Sequence, residues 1–118
     1  MNVVIAMDFN GCLRSLVILR DLAKGMLAKG FEVHVISAVG RGDPHLVEYR
    51  QEIDGWNIPF TGVHFVEFDG TPTPDVAYRV GMQKVDVMRD IGASVLFDDN
   101  PHICRAVRDV GLLACQVA

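Results

Sequence analysis

Residues 3–11 read Val-Val-Ile-Ala-Met-Asp-Phe-Asn-Gly. An unbroken apolar run ended abruptly by a carboxylate is the pattern of a short strand buried on both faces and stopping at the rim of a parallel sheet. Downstream, Leu16, Leu19, Ala23, Met26 and Leu27 recur at helical spacing within 13–29, and Gly30 stands where a helix C-cap belongs. The alternation continues with a strand over 31–37 and a helix from Pro44 to about Asp54, with Leu46, Tyr49 and Ile53 on one side. A strand over 63–68, a helix from about Val76 to Ile91 and a strand over 93–97 follow. A helix from Pro101 to about Val110 and a strand over 112–117 complete the pattern. Strands alternating with helices, joined by right-handed crossovers, predict a three-layer α/β fold: a doubly wound, five-stranded parallel sheet with helices on both faces.

The 118 residues are 50% apolar and 22% charged, enough to bury one core in a single domain over 1–118 and too few for two. No run approaches the roughly 18 apolar residues of a membrane span, and no basic segment precedes the first apolar stretch, so neither membrane insertion nor secretion is expected. Cys12, Cys104 and Cys115 are odd in number and lack CxxC spacing. They read as reduced thiols, Cys104 and Cys115 packed like small apolar groups, which points to a cytoplasmic compartment. The net charge of −4 speaks against a broad duplex-binding surface and leaves room for a local basic pocket. His34, His45, His64 and His102 show no ligand spacing and read as ordinary strand or loop residues.

Parallel sheets bind ligands beyond the carboxyl ends of their strands. There the pattern places Asp8-Phe9-Asn10-Gly11 after the first strand, Ser37 at the end of the second and Asp98-Asp99-Asn100 after the fourth, with Lys84 on the preceding helix. Taken singly, each has a structural explanation, since Asp and Ser after strands commonly cap the next helix and a lone Lys is usually solvated. Taken together, they concentrate negative charge at one edge, which calls for a cation. Oxygen donors without His or Cys favour a hard ion, and Mg²⁺, which takes one or two carboxylates together with phosphate oxygens, fits best. A carboxylate beside Mg²⁺, with Lys84 and the Ser37 hydroxyl to hold phosphate oxygens, is a nucleophile for phosphoryl transfer.

In order along the chain, Val-Val-Ile-Ala-Met-Asp-Phe-Asn-Gly, Val-Ile-Ser ending at Ser37, Lys84, and Val-Leu-Phe-Asp-Asp-Asn-Pro ending at Pro101 resemble the four signatures of the haloacid dehalogenase-like superfamily of phosphotransferases. The resemblance implies that Asp8 becomes an aspartyl phosphate and that Ser37 and Lys84 hold the transferring group. It also implies that Asp8, the Asn10 backbone carbonyl and Asp99 bind Mg²⁺, with Asp98 in support. Residues 91–118, and Gly40-Arg41 followed by Asp43-Pro44, look most like the 3′-phosphatase domain of phage-type polynucleotide kinases. That likeness nominates Arg41 as a substrate phosphate contact and a nucleic-acid 3′-phosphate as a substrate, against the structural reading of Arg41 as a solvated loop residue. The short connections leave no room for a cap domain, so the site is expected to be open, either to a macromolecular end or to closure by a second subunit.

One position departs from the superfamily pattern. Its phosphatases usually carry a second aspartate where this chain has Asn10, and an amide can neither protonate a leaving oxygen nor activate water. Two readings follow: a slow Mg²⁺-dependent phosphomonoesterase or phosphotransferase, and an inert module that binds a phosphorylated ligand or partner protein. A receiver domain would need its acidic pair after the first strand, and neither GxGxxG nor Gly-Lys-Ser/Thr is present for a dinucleotide fold or a P-loop.

Overall fold

The computed structural model describes residues 3–118. Its strands are β1 (Val4–Met7), β2 (Glu32–Gly40), β3 (Gly62–Phe68), β4 (Val95–Asp98) and β5 (Leu113–Gln116), all parallel, in the order β3-β2-β1-β4-β5. Helices α1 (Val17–Ala28), α2 (Leu46–Gly55), α3 (Pro74–Ile91) and α4 (Pro101–Asp109) form the connections. Strand alternation divides the core in two. Val4 and Ala6 pack with Ile36, Val66 and Leu96 against Val80, Val85 and Met88 of α3 and Ile103 and Val107 of α4. Ile5 and Met7 pack with Val33 and Val35 against Leu19 and Ala23 of α1 and Ile53 of α2. Because β1 is central and covered on both faces, every one of its side chains is apolar. The chain is therefore the expected three-layer, doubly wound α/β fold.

The strand order puts a crevice between the carboxyl ends of β1 and β4. The connection from β1 leads to one side of the sheet, and β4 lies on the other, which is the switch point where ligands bind in such sheets. Among the described residues no folded unit is inserted near it, since only 69–73 separate β3 from α3 and only 8–16 separate β1 from α1.

Three boundaries differ from expectation in ways that bear on function. β2 continues past Ser37 to Gly40 because β3 pairs with it as far as Gly40↔Phe68, so Ser37 lies inside the strand rather than at its end. α1 starts at Val17 rather than Leu13, because 9–13 are used in a turn and Leu16 is extended. α3 starts two residues early, at Pro74, where the Thr73 hydroxyl accepts from the Val76 N–H at 3.2 Å. Cys104 is buried as expected of an apolar thiol and Cys12 is buried too, but Cys115, expected to pack likewise, is exposed, because β5 is an edge strand. Among the histidines, His34 and His64 stack across β2 and β3 with 2.9 Å between His34 Nδ1 and His64 Nε2.

α3 and α4 touch through Gly81, where a Cβ would meet the Ala106 Cβ at 2.6 Å and the Ile103 carbonyl oxygen at 3.0 Å. Gly81→Ala should therefore destabilise the fold. Overpacking costs about 1–3 kcal/mol, which outweighs the ~1 kcal/mol that alanine gains over glycine within a helix. Urea unfolding measures the balance, and a stabilised variant would contradict the contact.

Candidate metal and phosphate site

Asp8 follows β1 directly, its N–H donating to the Phe97 carbonyl at 2.9 Å. The chain then makes a wide turn over 9–13, closed by the Leu13 N–H on the Asp8 carbonyl at 3.2 Å and the Arg14 N–H on the Phe9 carbonyl at 2.9 Å. Gly11 makes the turn feasible. Its φ of +72° suits glycine, and a Cβ there would run into the Asp99 carboxylate, so only glycine lets Asp99 lie against this backbone.

On β4, Asp98 is the last strand residue and Asp99 the first beyond it. The cap of α4 is Asn100, whose Oδ1 accepts from His102 N–H at 2.9 Å and Ile103 N–H at 3.2 Å. With Asn100 in that role, neither aspartate is needed as a cap. Carboxylate oxygens of Asp8, Asp98 and Asp99 all lie within 4.8 Å of one another.

Lys84 reaches this cluster from the interior of α3 and is only 1% exposed. Its Nζ donates to Asp8 Oδ1 at 2.9 Å and to Asp98 Oδ2 at 2.8 Å. The other oxygen of Asp98, Oδ1, accepts the Asn100 N–H at 3.0 Å. Each Asp98 oxygen thus accepts one hydrogen bond, and Asp98 orients Lys84 while staying within the carboxylate cluster. Asp8 Oδ2 and the Asp99 carboxylate have no hydrogen-bond partner among the described residues.

Three carboxyl groups thus face one ammonium in a largely buried space. Burial, reinforced by Asp98 and Asp99, raises the Asp8 carboxyl to about 7 even though Lys84 pulls it down. Burial alone would lower the Lys84 pKa, but Asp8 and Asp98 outweigh it and hold the ammonium well above its usual range. The all-oxygen donor set and the surplus charge suit a hard divalent cation.

Ser37 is 1% exposed, and its Oγ is a buried side-chain polar atom with no partner among the described residues. It lies two positions beyond Val35, the last β2 residue paired with β1, alongside the level at which the turn begins. An unpaired buried hydroxyl costs about 1–3 kcal/mol, a penalty that a ligand oxygen would relieve.

The remaining nominated residues stand apart. Arg41 is exposed, its Nε 2.9 Å from Asp69 Oδ1, and it makes no contact with the acidic cluster. The Asn10 side chain is exposed, and its Oδ1 accepts from Arg14 Nη1 at 3.0 Å. Arg14 was not singled out from sequence, although its position four residues after Asn10 is the signal that could have done so. It also pairs through Nε with Glu52 at 2.9 Å and lies over the Phe9 ring at 5.1 Å.

No protein-family model and no curated protein matches the chain. Solved structures do. A universal stress protein family member from Burkholderia pseudomallei has a TM-score of 0.59 at 15% identity over 97% of this chain and 94% of its own. A universal stress protein in complex with cAMP gives 0.56 at 10% identity, over 98% of this chain and 97% of that one. A HAD family enzyme from Bacteroides thetaiotaomicron, an aspartate-to-alanine mutant in complex with magnesium and inorganic phosphate, gives 0.52 at 12% identity. The match covers 87% of this chain and 53% of the enzyme. At such identities these likenesses establish a shared α/β fold, common to universal stress proteins and a magnesium-binding HAD enzyme alike.

Proposed function

We propose that the chain is a Mg²⁺-dependent phosphomonoester hydrolase or phosphotransferase of the haloacid dehalogenase type, working through an aspartyl phosphate on Asp8. The observation that carries this reading is the buried Asp8–Lys84–Asp98 arrangement with Asp99 seated on Gly11. A fold shared with universal stress proteins does not call for a lysine buried between two carboxylates, whereas phosphoryl transfer from an anionic donor to a carboxylate does.

Mg²⁺ would be held by Asp8, the Asn10 backbone carbonyl and Asp99, supplying positive charge to the transferring phosphoryl oxygens. Asp8 Oδ2 forms the new O–P bond while the ester O–P bond breaks. The leaving oxygen takes its proton from water, since Asn10 has none to give, and a second water then cleaves the acyl phosphate. Lys84 fixes the attacking carboxylate through Oδ1, and the Ser37 hydroxyl donates to a phosphoryl oxygen.

Phosphate release from a panel of phosphomonoesters, with Mg²⁺ and with chelator, tests the proposal; the panel includes oligonucleotides phosphorylated at either end. The 3′-phosphorylated oligonucleotide belongs in it because of the polynucleotide-kinase-like pattern around Arg41, and an open rim also admits closure by a second copy of the chain. Metal-dependent release is expected, and none from any substrate would leave the second reading. Asn10 favours that alternative, a module binding a phosphorylated ligand without turning it over.

Metal binding also carries a pH signature. The unfolded Asp8 carboxyl ionises near its model value of 3.8, and the folded one near 7. The folded state therefore binds the extra proton between those values, and this group's contribution to the stability of the metal-free protein declines as pH rises through the window. Mg²⁺ displaces that proton, so its affinity should rise about tenfold per pH unit up to about pH 7 and then level. Melting temperatures at millimolar-range Mg²⁺ across this range provide the check. A stabilisation independent of pH would contradict the role of Asp8 as ligand.

A further inference from the structure

Two adjoining depressions lie on the α3 side of the rim, unused by the phosphoryl chemistry. The inner one, of about 100 Å³, is bounded by Ala38, Phe68, Pro72, Asn100 and Ile103 among others. Asn100, which follows Asp99 directly, is among its lining residues, and Val80 of the same lining precedes Lys84 by one helical turn on α3, which puts this depression on the cluster's side of the sheet. The outer one, of about 370 Å³, shares Phe68, Val76 and Val80 with it and includes Arg41 and Arg79. Together they form one trough with an apolar floor near the cluster and guanidinium groups further out.

The far end is locally cationic in a chain whose net charge is −4. Arg79 is exposed and has no hydrogen-bond or ion-pair partner among the described residues. Arg41 pairs with Asp69 through Nε, which leaves its terminal nitrogens available. Glu67 borders the trough, but strand alternation turns its side chain to the face opposite Val66 and Phe68, and its carbonyl is bonded by Gln83 Nε2 at 2.9 Å. Two guanidinium groups therefore meet a single carboxylate at this end.

We propose that the trough receives the leaving-group side of a phosphomonoester bearing a second anionic group, phosphate or carboxylate, beyond a short apolar or flat segment. Arg79, assisted by Arg41, determines specificity for that group. The proposal rests on the phosphotransferase reading and narrows its substrate class. Planar guanidinium donors hold carboxylate and phosphate oxygens in a fork, and the apolar floor accommodates a ring or hydrocarbon but not a second charge.

The experiment compares phenyl phosphate, which has no second anion, with 4-carboxyphenyl phosphate and adenosine 3′,5′-bisphosphate, which supply a carboxylate and a phosphate. The two bis-anionic substrates should show KM values about tenfold below that of phenyl phosphate, the scale of a charge-assisted hydrogen bond at a partly exposed site. Arg79→Ala should erase that difference in KM while leaving the kcat ratios between substrates intact, and Arg79→Lys should restore part of it. Equal KM values for all three substrates, or a preference that survives Arg79→Ala, would overturn the subsite. Calorimetric titration with 4-carboxyphenyl phosphate separates this from failure of the parent reading. Arg79-dependent binding without turnover would retain the subsite and remove the hydrolase, whereas turnover indifferent to Arg79 would do the reverse.

Discussion

Asn10→Asp is expected to raise the rate of phosphate release by about 10²–10⁴-fold, the usual worth of a positioned general acid–base group and roughly 3–5 kcal/mol of barrier. The gain should lie in kcat, because the backbone carbonyl assigned to the metal is unchanged. Arg14 sets where in that range the variant falls. Its Nη1 lies 3.0 Å from Asn10 Oδ1, so an aspartate there would meet a guanidinium that favours the ionised form. Such a carboxylate serves as a base toward water but is a poor acid toward the leaving oxygen. Adding Arg14→Gln should therefore increase the rate further, most for substrates with poor leaving groups. Asn10 precedes Gly11, a pairing prone to deamidation, so peptide mass analysis must accompany the kinetics. No acceleration in either variant, with Mg²⁺ present, would show that the missing acid is not the limiting defect and would favour the binding module.

Lys84→Met carries the largest expected cost in stability. The ammonium is the shared partner of Asp8 and Asp98, which are 6% and 0% exposed, and its removal leaves Asp98 buried without a cation and Asp8 without the group that holds its pKa down. Breaking a buried pair by removing one partner costs about 3–5 kcal/mol, a large share of the roughly 5–15 kcal/mol that holds a domain together. The loss should shrink toward acid pH, where Asp8 is already protonated and less charge is stranded. Mg²⁺ should offset part of it at neutral pH by supplying the missing cation. Asp8→Asn is the informative contrast, because it leaves Lys84 and Asp98 as a one-to-one pair and should cost much less. Chemical denaturation in chelator, with and without added Mg²⁺, measures all of these. A Lys84→Met protein as stable as its parent at neutral pH without metal would contradict the charge balance described for this site.

The architecture was legible because burial on both faces of a central strand forces an unbroken apolar run, and Val4 to Met7 provide it. Asp8, Asp98, Asp99 and Lys84 were legible for a related reason: charge placed at the end of, or behind, such strands has nowhere to go but the rim. What the sequence concealed depends on pairing partners distant along the chain. Ser37 read as a strand end because a hydroxyl follows Val-Ile, yet β3 carries the ladder three residues further and encloses it. Asp98 reads from sequence as a supporting carboxylate of the metal site, and the structure adds that one of its oxygens accepts from Lys84, a contact that depends on how α3 packs against β4. Arg41 reads from sequence as a substrate phosphate contact or a solvated loop residue, and the structure shows it exposed and paired with Asp69 at the end of the extended β2. Arg14 and Arg79 were not singled out from sequence. Their significance comes from Asn10 and from the shape of the trough.

The central claim is that Asp8 is a phosphoryl acceptor in a Mg²⁺ site, and beryllium fluoride, a mimic of an acyl phosphate, tests it most directly. Fluorine NMR of the wild-type chain should show a bound beryllofluoride species that forms only when Mg²⁺ is present and disappears on adding chelator. Asp8→Ala, which removes the carboxylate but keeps a small side chain at the end of β1, should show none. A bound species of equal intensity in that variant, or one that forms in wild type without Mg²⁺, would contradict the account.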